Sequence, residues 1–489
     1  MRYFLSSICF IAALFFTITL SHAQPGINWK KCYGTAKYES FAGIVNAHGA
    51  GYVFAGYPDS CINNSDYQIV KIDDTGKVLW SHCYGGANTE TPRSIIKVIG
   101  DPPSNNGYLI SGTSGSNDGD VSGNHGGGDF WVIKTDTNGN LQWQKCLGGT
   151  SVDEAFSATQ TNDKNLVIAG VTQSNNGDVS GFNGGKDWWV VKLDQNGGIL
   201  WKKTLGGSAI EMGPTVAATN DGGVVIAGEA TSSNGDITSA IGLKDIWVVK
   251  LDASGNKQWD KSFGSWQDDW GFSITQTKDT GYIISAKTTN YPSTGINTAL
   301  IKISKTGQQQ WAKGFNILYN ILELPNGYIA TGGNIVGTAL DLSVYRLDDT
   351  GKILWQKVMG GSNTDLGKTI LSSSDGGYII GGHTNSTDGD VTGNNGDNDY
   401  WIIKLAPDPL GVQSVAPVRN ISVYPNPTTT EVRFSEKVNI KLLNLLGQQL
   451  EKKHQVEQLD LSPYPVGIYI LTITDDHGNL LKQEKLVKE

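Results

Sequence analysis

The segment Gly264-Ser265-Trp266-Gln267-Asp268-Asp269-Trp270 sets two indoles and two carboxylates within five residues. An indole face stacks on the apolar face of a sugar ring, and a neighbouring carboxylate accepts hydrogen bonds from the sugar hydroxyls. Tyr291 adds a further aromatic candidate. The same acids suit a second chemistry. Glycoside hydrolysis needs two carboxyl groups across the scissile bond, one acting as acid and the other as base or nucleophile. Asp268, Asp269 and Glu211 are the candidates for that work. The ligand-binding set is therefore Glu211, Trp266, Asp268, Asp269, Trp270 and Tyr291, and no residue is assigned a catalytic role.

A second constellation is repeated. Residues 116–123 (SNDGDVSG), 175–181 (NNGDVSG), 234–238 (NGDIT) and 387–393 (TDGDVTG) are rich in Asp, Asn and Gly. Carboxylates on carbonyl-rich turns could hold Ca2+, with Asp118, Asp120, Asp178 and Asp390 as ligands. The spacing is not that of an EF-hand loop, and the same composition serves loops that hydrogen-bond to themselves. No other cofactor is indicated. Histidine occurs seven times, never in a closely spaced metal-ligating pair, and no nucleophile–base arrangement stands out. With 38 basic against 47 acidic residues, a net charge of −9 and no basic run, nucleic acid is excluded as a partner.

The elements that must position these groups are repeats. Trp29, Trp80, Trp143, Trp201, Trp259, Trp311 and Trp355 share one local setting at separations of 51, 63, 58, 58, 52 and 44 residues, the period of a propeller blade or similar array. Each unit reads as four short strands, as in 155–160 (AFSATQ), 165–171 (NLVIAGV), 187–194 (DWWVVKLD) and 200–205 (LWKKTL). Asn162-Asp163-Lys164 and Gln195-Asn196-Gly197-Gly198 are tight turns between them. The third strand carries a basic residue at Lys71, Lys134, Lys192, Lys250, Lys302, Arg346 and Lys404. Five residues earlier stands Asp66, Asp129, Asp187, Asp245, Asn297, Asp341 or Asp399.

The ends decide the topology. Residues 399–404 form a third strand with no tryptophan strand after it, and 27–31 form a tryptophan strand with nothing before it. Joining the two predicts a seven-bladed β-propeller of four-stranded blades, its ring closed by the N-terminal strand, with no exposed edge. Short turns then lie on one face, while the long loops and inter-blade links lie on the other, the face expected to carry function. Acids precede the first strand of the blades at Glu39, Glu90, Asp153, Glu154, Glu211, Asp268, Asp269 and Asp365. Two readings stay open for them: crowding at the mouth of the central channel, or accepting backbone N–H bonds at a chain reversal. Of Trp188 and Trp189, one indole is expected in the core.

Residues 73–80 (DDTGKVLW) and 348–355 (DDTGKILW) resemble the tryptophan-docking repeat of quinoprotein-type propellers. The resemblance implies packing through the indoles and an outermost tryptophan strand; it does not imply the quinone cofactor.

After Lys404 a Pro/Gly stretch (406–418) reads as a linker, and 419–489 changes character. Tyr424-Pro425-Asn426-Pro427, 442–448 (LLNLLGQ), the GIY strand with Gly467 and Tyr469, and the terminal run from Lys485 to Lys488 resemble the C-terminal sorting domain of type IX (Por) secretion. The resemblance implies an immunoglobulin-like β-sandwich, passage through the outer membrane by the type IX machinery, and surface attachment or release.

At the other end, residues 1–23 read as a secretory signal peptide: Arg2, an apolar run too short for a membrane span, then small residues to Ala23. No later segment is apolar enough for a transmembrane helix, so 24–405 is expected to be an exported propeller. Export permits disulfides. Cys32, Cys83 and Cys146 occupy one small-residue slot of the repeat, and Cys61 could pair with any of them.

The chain is expected to be a secreted or surface-attached binding or adhesion module for a glycan or protein. The alternative is an endoglucanase-like glycoside hydrolase with paired carboxylates on the loop-rich face.

Overall fold

The structure, a computed structural model, describes residues 24–58, 61, 66–291, 298–337, 339–408, 421–444, 448–474 and 480–489. The signal segment 1–23, Asn297, most of the linker and the tip of the LLNLLGQ hairpin lie outside the described residues.

Alternating short apolar runs and turn residues produce seven four-stranded antiparallel sheets in series. One sheet comprises Asp153–Gln160, Leu166–Thr172, Asp187–Leu193 and Ile199–Leu205, in that order. The last combines Asp365–Ser372, Tyr378–Thr384 and Asp399–Leu405 with the N-terminal strand Ile27–Tyr33, which pairs Trp29 with Lys404 and Cys32 with Trp401. First strands of successive sheets touch one another all the way round, and Asp365–Ser372 returns to Glu39–Asn46. The arrangement is that of a β-propeller closed by its first strand.

Middle strands are buried on both faces. Every residue of Asp129–Thr135, Asp187–Leu193, Asp245–Leu251 and Asp399–Leu405 is buried, which is why Val, Ile and Trp fill them without alternation. One apolar cluster joins Val167, Trp188 and Val190 of one sheet to Val224, Ile226 and Trp247 of the next. Trp188 and Trp189 are both fully buried, pointing to opposite neighbours: Trp188 stacks 4.5 Å from Trp247 and Trp189 4.8 Å from Phe130.

Outer tryptophans lock each sheet to the next. A Cβ on Gly76, Gly139, Gly197, Gly255, Gly307 or Gly351 would meet the ring of Trp29, Trp80, Trp143, Trp201, Trp259 or Trp311. These glycines hold positive φ in the turn before the following sheet's outer strand, so they supply both the turn and the seat for the indole. Trp29 Nε1 donates to the Asp74 carbonyl at 2.8 Å, and Trp143 Nε1 to the Gln195 carbonyl at 3.0 Å. Trp355 instead meets the Asp408 carboxylate at 3.4 Å, which also pairs with Arg346 at 3.2 Å.

In four of the sheets the basic residue of the third strand braces the turn between the first two strands. Buried Lys192, Lys250, Lys302 and Lys404 reach Asp163, Asp221, Asp279 and Asp375 at 2.7–3.0 Å. Lys134 lacks such an acid; its ammonium takes Thr135 O and Gln142 Oε1, and burial lowers its pKa to about 8. Cys61 is bonded to Cys83, while Cys32 and Cys146 are free thiols.

The C-terminal region is a five-stranded β unit with its own core, including Val432, Phe434, Ile440, Leu442, Leu471 and Ile473. Glu431–Leu443 pairs with Val423–Tyr424, Gln449–Asp460 and Gly467–Thr474, and the last of these with Leu480–Lys488. The motif residues hold it closed. Asn426 donates to Lys485 O at 2.7 Å and accepts from Val487 N at 2.9 Å. Tyr469 donates to Pro465 O, and buried Lys488 donates to Leu461 O at 2.8 Å. Gly467 sits opposite Lys488, whereas Tyr424 is exposed.

Candidate functional site

The recurrent acids before the inner strands are structural. Glu39, Glu90, Asp153, Glu211, Asp269 and Asp365 are all buried, and each accepts a backbone N–H from four residues back. Of the two readings, the chain-reversal one describes their geometry: none of them lines the central channel. Glu211 receives Gly207 N at 2.9 Å; Asp269 receives Ser265 N at 2.7 Å and Thr289 N at 2.8 Å. Burial raises both pKa values. These two members of the expected ligand set are withdrawn from solvent into loop closure.

Each has an acid neighbour across the sheet boundary. A Cβ on Gly206 would clash with both Asp187 and Glu211, and one on Gly34 with both Asp399 and Glu39. Burial, then a nearby carboxylate, pushes Asp187 up to about 7; burial likewise brings Glu39 to about 7. One oxygen each of Asp129, Asp187, Asp341 and Asp399 has no hydrogen-bond partner among the described residues, and burial raises the pKa of all four.

The Asp/Asn/Gly loops are stitched to the link that enters their own sheet. Asp118 Oδ1 accepts Ala87 N at 2.8 Å, Asp120 accepts Gly85 N at 3.2 Å and Asp178 accepts Gly148 N at 3.4 Å. Asp390 pairs with Lys30 at 2.8 Å. Among the described residues no three His, Cys, Asp or Glu side chains are grouped to hold a metal ion.

Trp266, Asp268, Trp270 and Tyr291 remain. Trp266 is 69% exposed at the tip of its link, and a Cβ on Gly242 would strike its backbone. Ile241 and Leu243, on either side of Gly242 in sequence, are themselves exposed. The Asp268 backbone bridges Lys244, while its half-buried carboxylate makes no hydrogen bond among the described residues. Trp270 is half-buried, with Lys287 Nζ 4.3 Å and Lys244 Nζ 5.8 Å from its ring. Tyr291 gives its hydroxyl to Gln309 Oε1 and packs on the core of its sheet. Of the six, Trp266 alone is exposed, and Asp268, Trp270 and Tyr291 are half-buried.

The central channel escaped sequence reasoning. Every inner strand carries one β-bulge, and the bulged residues are Ala42, Arg93, Phe156, Gly213-Pro214, Phe272, Tyr319 and Lys368. All line a cavity of ≈ 280 Å³ on the ring axis. A bulge leaves backbone groups unpaired, and neighbours satisfy three of them. Ser94 accepts from Ala158 N at 3.3 Å, Ser157 from Val216 N at 3.2 Å and Asn320 from Ile370 N at 3.1 Å. A repeat with no shared residue at one position was the signal available.

No curated protein matches the chain. Among solved structures, it is similar to a protein of unknown function from Bacteroides caccae (12% identity, 66% of this chain, 94% of that one, TM-score 0.38). It is also similar to the extracellular domain of a putative one component system from B. thetaiotaomicron (11% identity, 93% and 58%, TM-score 0.41) and to the Neurospora crassa Pan2 WD40 domain (10% identity, 78% and 95%, TM-score 0.46). No helix among the described residues is long and apolar enough to cross a membrane. Residues 422–489 match the family model of the secretion system C-terminal sorting domain. The chain therefore carries a type IX sorting domain, which marks it for export to the cell surface or beyond.

Proposed function

We propose that the chain is an exported seven-bladed propeller, built on quinoprotein-like tryptophan docking, that binds a glycan at the Trp266 surface without cleaving it. Residues 1–23 serve as the signal peptide and 419–489 as the removable sorting unit. The observation that carries the reading is the 69% exposure of Trp266, two residues from a half-buried carboxylate, Asp268, that makes no hydrogen bond among the described residues. A free indole face and a free acceptor are what a sugar ring needs. Glu211 and Asp269, the other acids offered for hydrolysis, already spend their oxygens on backbone N–H groups. The test is a glycan array probed with the mature protein and with its Trp266→Ala and Asp268→Asn variants. Selective binding by the parent and its loss in Trp266→Ala are expected. Binding that is indifferent to both substitutions would remove the site.

A further inference from the structure

The ring axis holds an unusual combination. Lys368 Nζ sits 3.9 Å from the Tyr319 ring centre, and the Arg93 guanidinium 5.6 Å from that of Phe156. Phe272 packs 5.2 Å from Tyr319. Neither cation has an ion-pair partner among the described residues, and the cavity lining contains no carboxylate. In a chain of net charge −9, two cations facing one cavity without an acid are a local reversal of the field. The cation–π contacts offset only part of the cost of partly desolvating the half-buried Lys368 ammonium. Burial accordingly lowers the Lys368 pKa.

The walls add a second kind of contact. Ser94 and Ser157 already accept backbone N–H bonds from the neighbouring strands, so their hydroxyl protons remain to donate inward. Aromatic faces, hydroxyl donors and two cations converge in ≈ 280 Å³, space on the scale of one or two sugar residues. An anion with an apolar, flat body would use the cations and rings. A polyhydroxylated ring bearing a carboxylate would use all three.

We propose that the central channel is a binding site for a uronic acid, with Arg93 and Lys368 taking the carboxylate, the Phe156, Phe272 and Tyr319 rings contacting the sugar's C–H face, and the serine hydroxyls donating to its oxygens. This site lies on the ring axis, is built from different residues than the Trp266 surface, and stands or falls independently of it.

Calorimetric titration of the mature full-length protein at low salt with D-galacturonate, D-galactose and acetate tests it. Galacturonate should bind, with galactose and acetate weaker by about tenfold or more, since each lacks one contact class. Arg93→Gln and Lys368→Met should each weaken galacturonate by about tenfold or more. Melting curves without sugar verify that the variants fold; Arg93, exposed to the channel, gives the safer substitution. No galacturonate binding, equal binding of acetate, or binding unchanged in a folded Arg93→Gln protein would each overturn the proposal.

Discussion

Glu39 and Asp399 meet at the seam where the N-terminal strand closes the ring, both against Gly34, in a gap too narrow for a Cβ. Asn398 reinforces the seam, since Glu39 N donates to its carbonyl at 2.8 Å. The same glycine-and-two-acids geometry recurs at Gly85, Gly148, Gly206 and Gly360. Its consequence is electrostatic. Buried carboxyls with folded pKa values above their unfolded ones bind protons more tightly in the folded state, so stability is full below about pH 4 and is lost as pH rises toward the folded value. Glu39 and Asp187, both near 7, set the window at pH 4 to 7. Asp163 and Asp375, each lowered to about 2, act oppositely, and their contribution is lost only in stronger acid. The melting temperature should therefore fall between pH 5 and pH 8, and Glu39→Gln or Asp187→Asn should flatten that slope. A melting temperature rising across this interval would contradict the assignment.

Gly206 is held by space alone, because its φ is not positive and a Cβ there would strike both Asp187 and Glu211. Gly206→Ala should destabilise by about 1–3 kcal/mol, as overpacking does. Urea unfolding checks it, and a change near zero would mean the acid pair can part freely.

Trp29 couples closure to docking. Its strand pairs with Asp399–Leu405, and its indole reaches the turn at Asp74 and Gly76. Trp29→Ala should cost about 2–3 kcal/mol, toward the low end for large-to-small change because the ring is only half-buried. Thermal denaturation would show it, and an unchanged midpoint would mean closure does not depend on the indole.

These features differ in how far the sequence reveals them. The strand quartets and the split last sheet were legible because seven copies repeat the same turns and the same indole, and Trp29 without a partner upstream demanded one downstream. The fate of Glu211 and Asp269 was not legible. Asp and Glu before a strand look alike whether they face solvent or accept the N–H of Gly207 or Ser265. The channel was hidden for the opposite reason. Ala42, Arg93, Phe156, Phe272, Tyr319 and Lys368 share no chemistry, so the alignment that exposes the scaffold discards the position that varies. Both Trp188 and Trp189 being buried also needed the structure, since a strand flanked by two sheets has no solvent side.

The Cys61–Cys83 bond spans 22 residues. A loop of that length should contribute about 3 kcal/mol by restricting the unfolded chain. Reduction, or Cys83→Ser, should lower the urea midpoint accordingly while leaving Cys146, whose thiol burial pushes up to about 12, unreactive toward alkylation in the folded state. Rapid labelling of Cys146 in native buffer would contradict the packed slot.

The central claim is that an exported propeller holds a glycan at Trp266 and leaves it intact. The most direct measurement incubates the mature protein with a panel of polysaccharides and reads retention and newly formed reducing ends in the same samples. The account predicts retention of at least one polysaccharide, abolished by Trp266→Ala, with no reducing ends above the blank. Release of oligosaccharides that disappears in Asp268→Asn would contradict it.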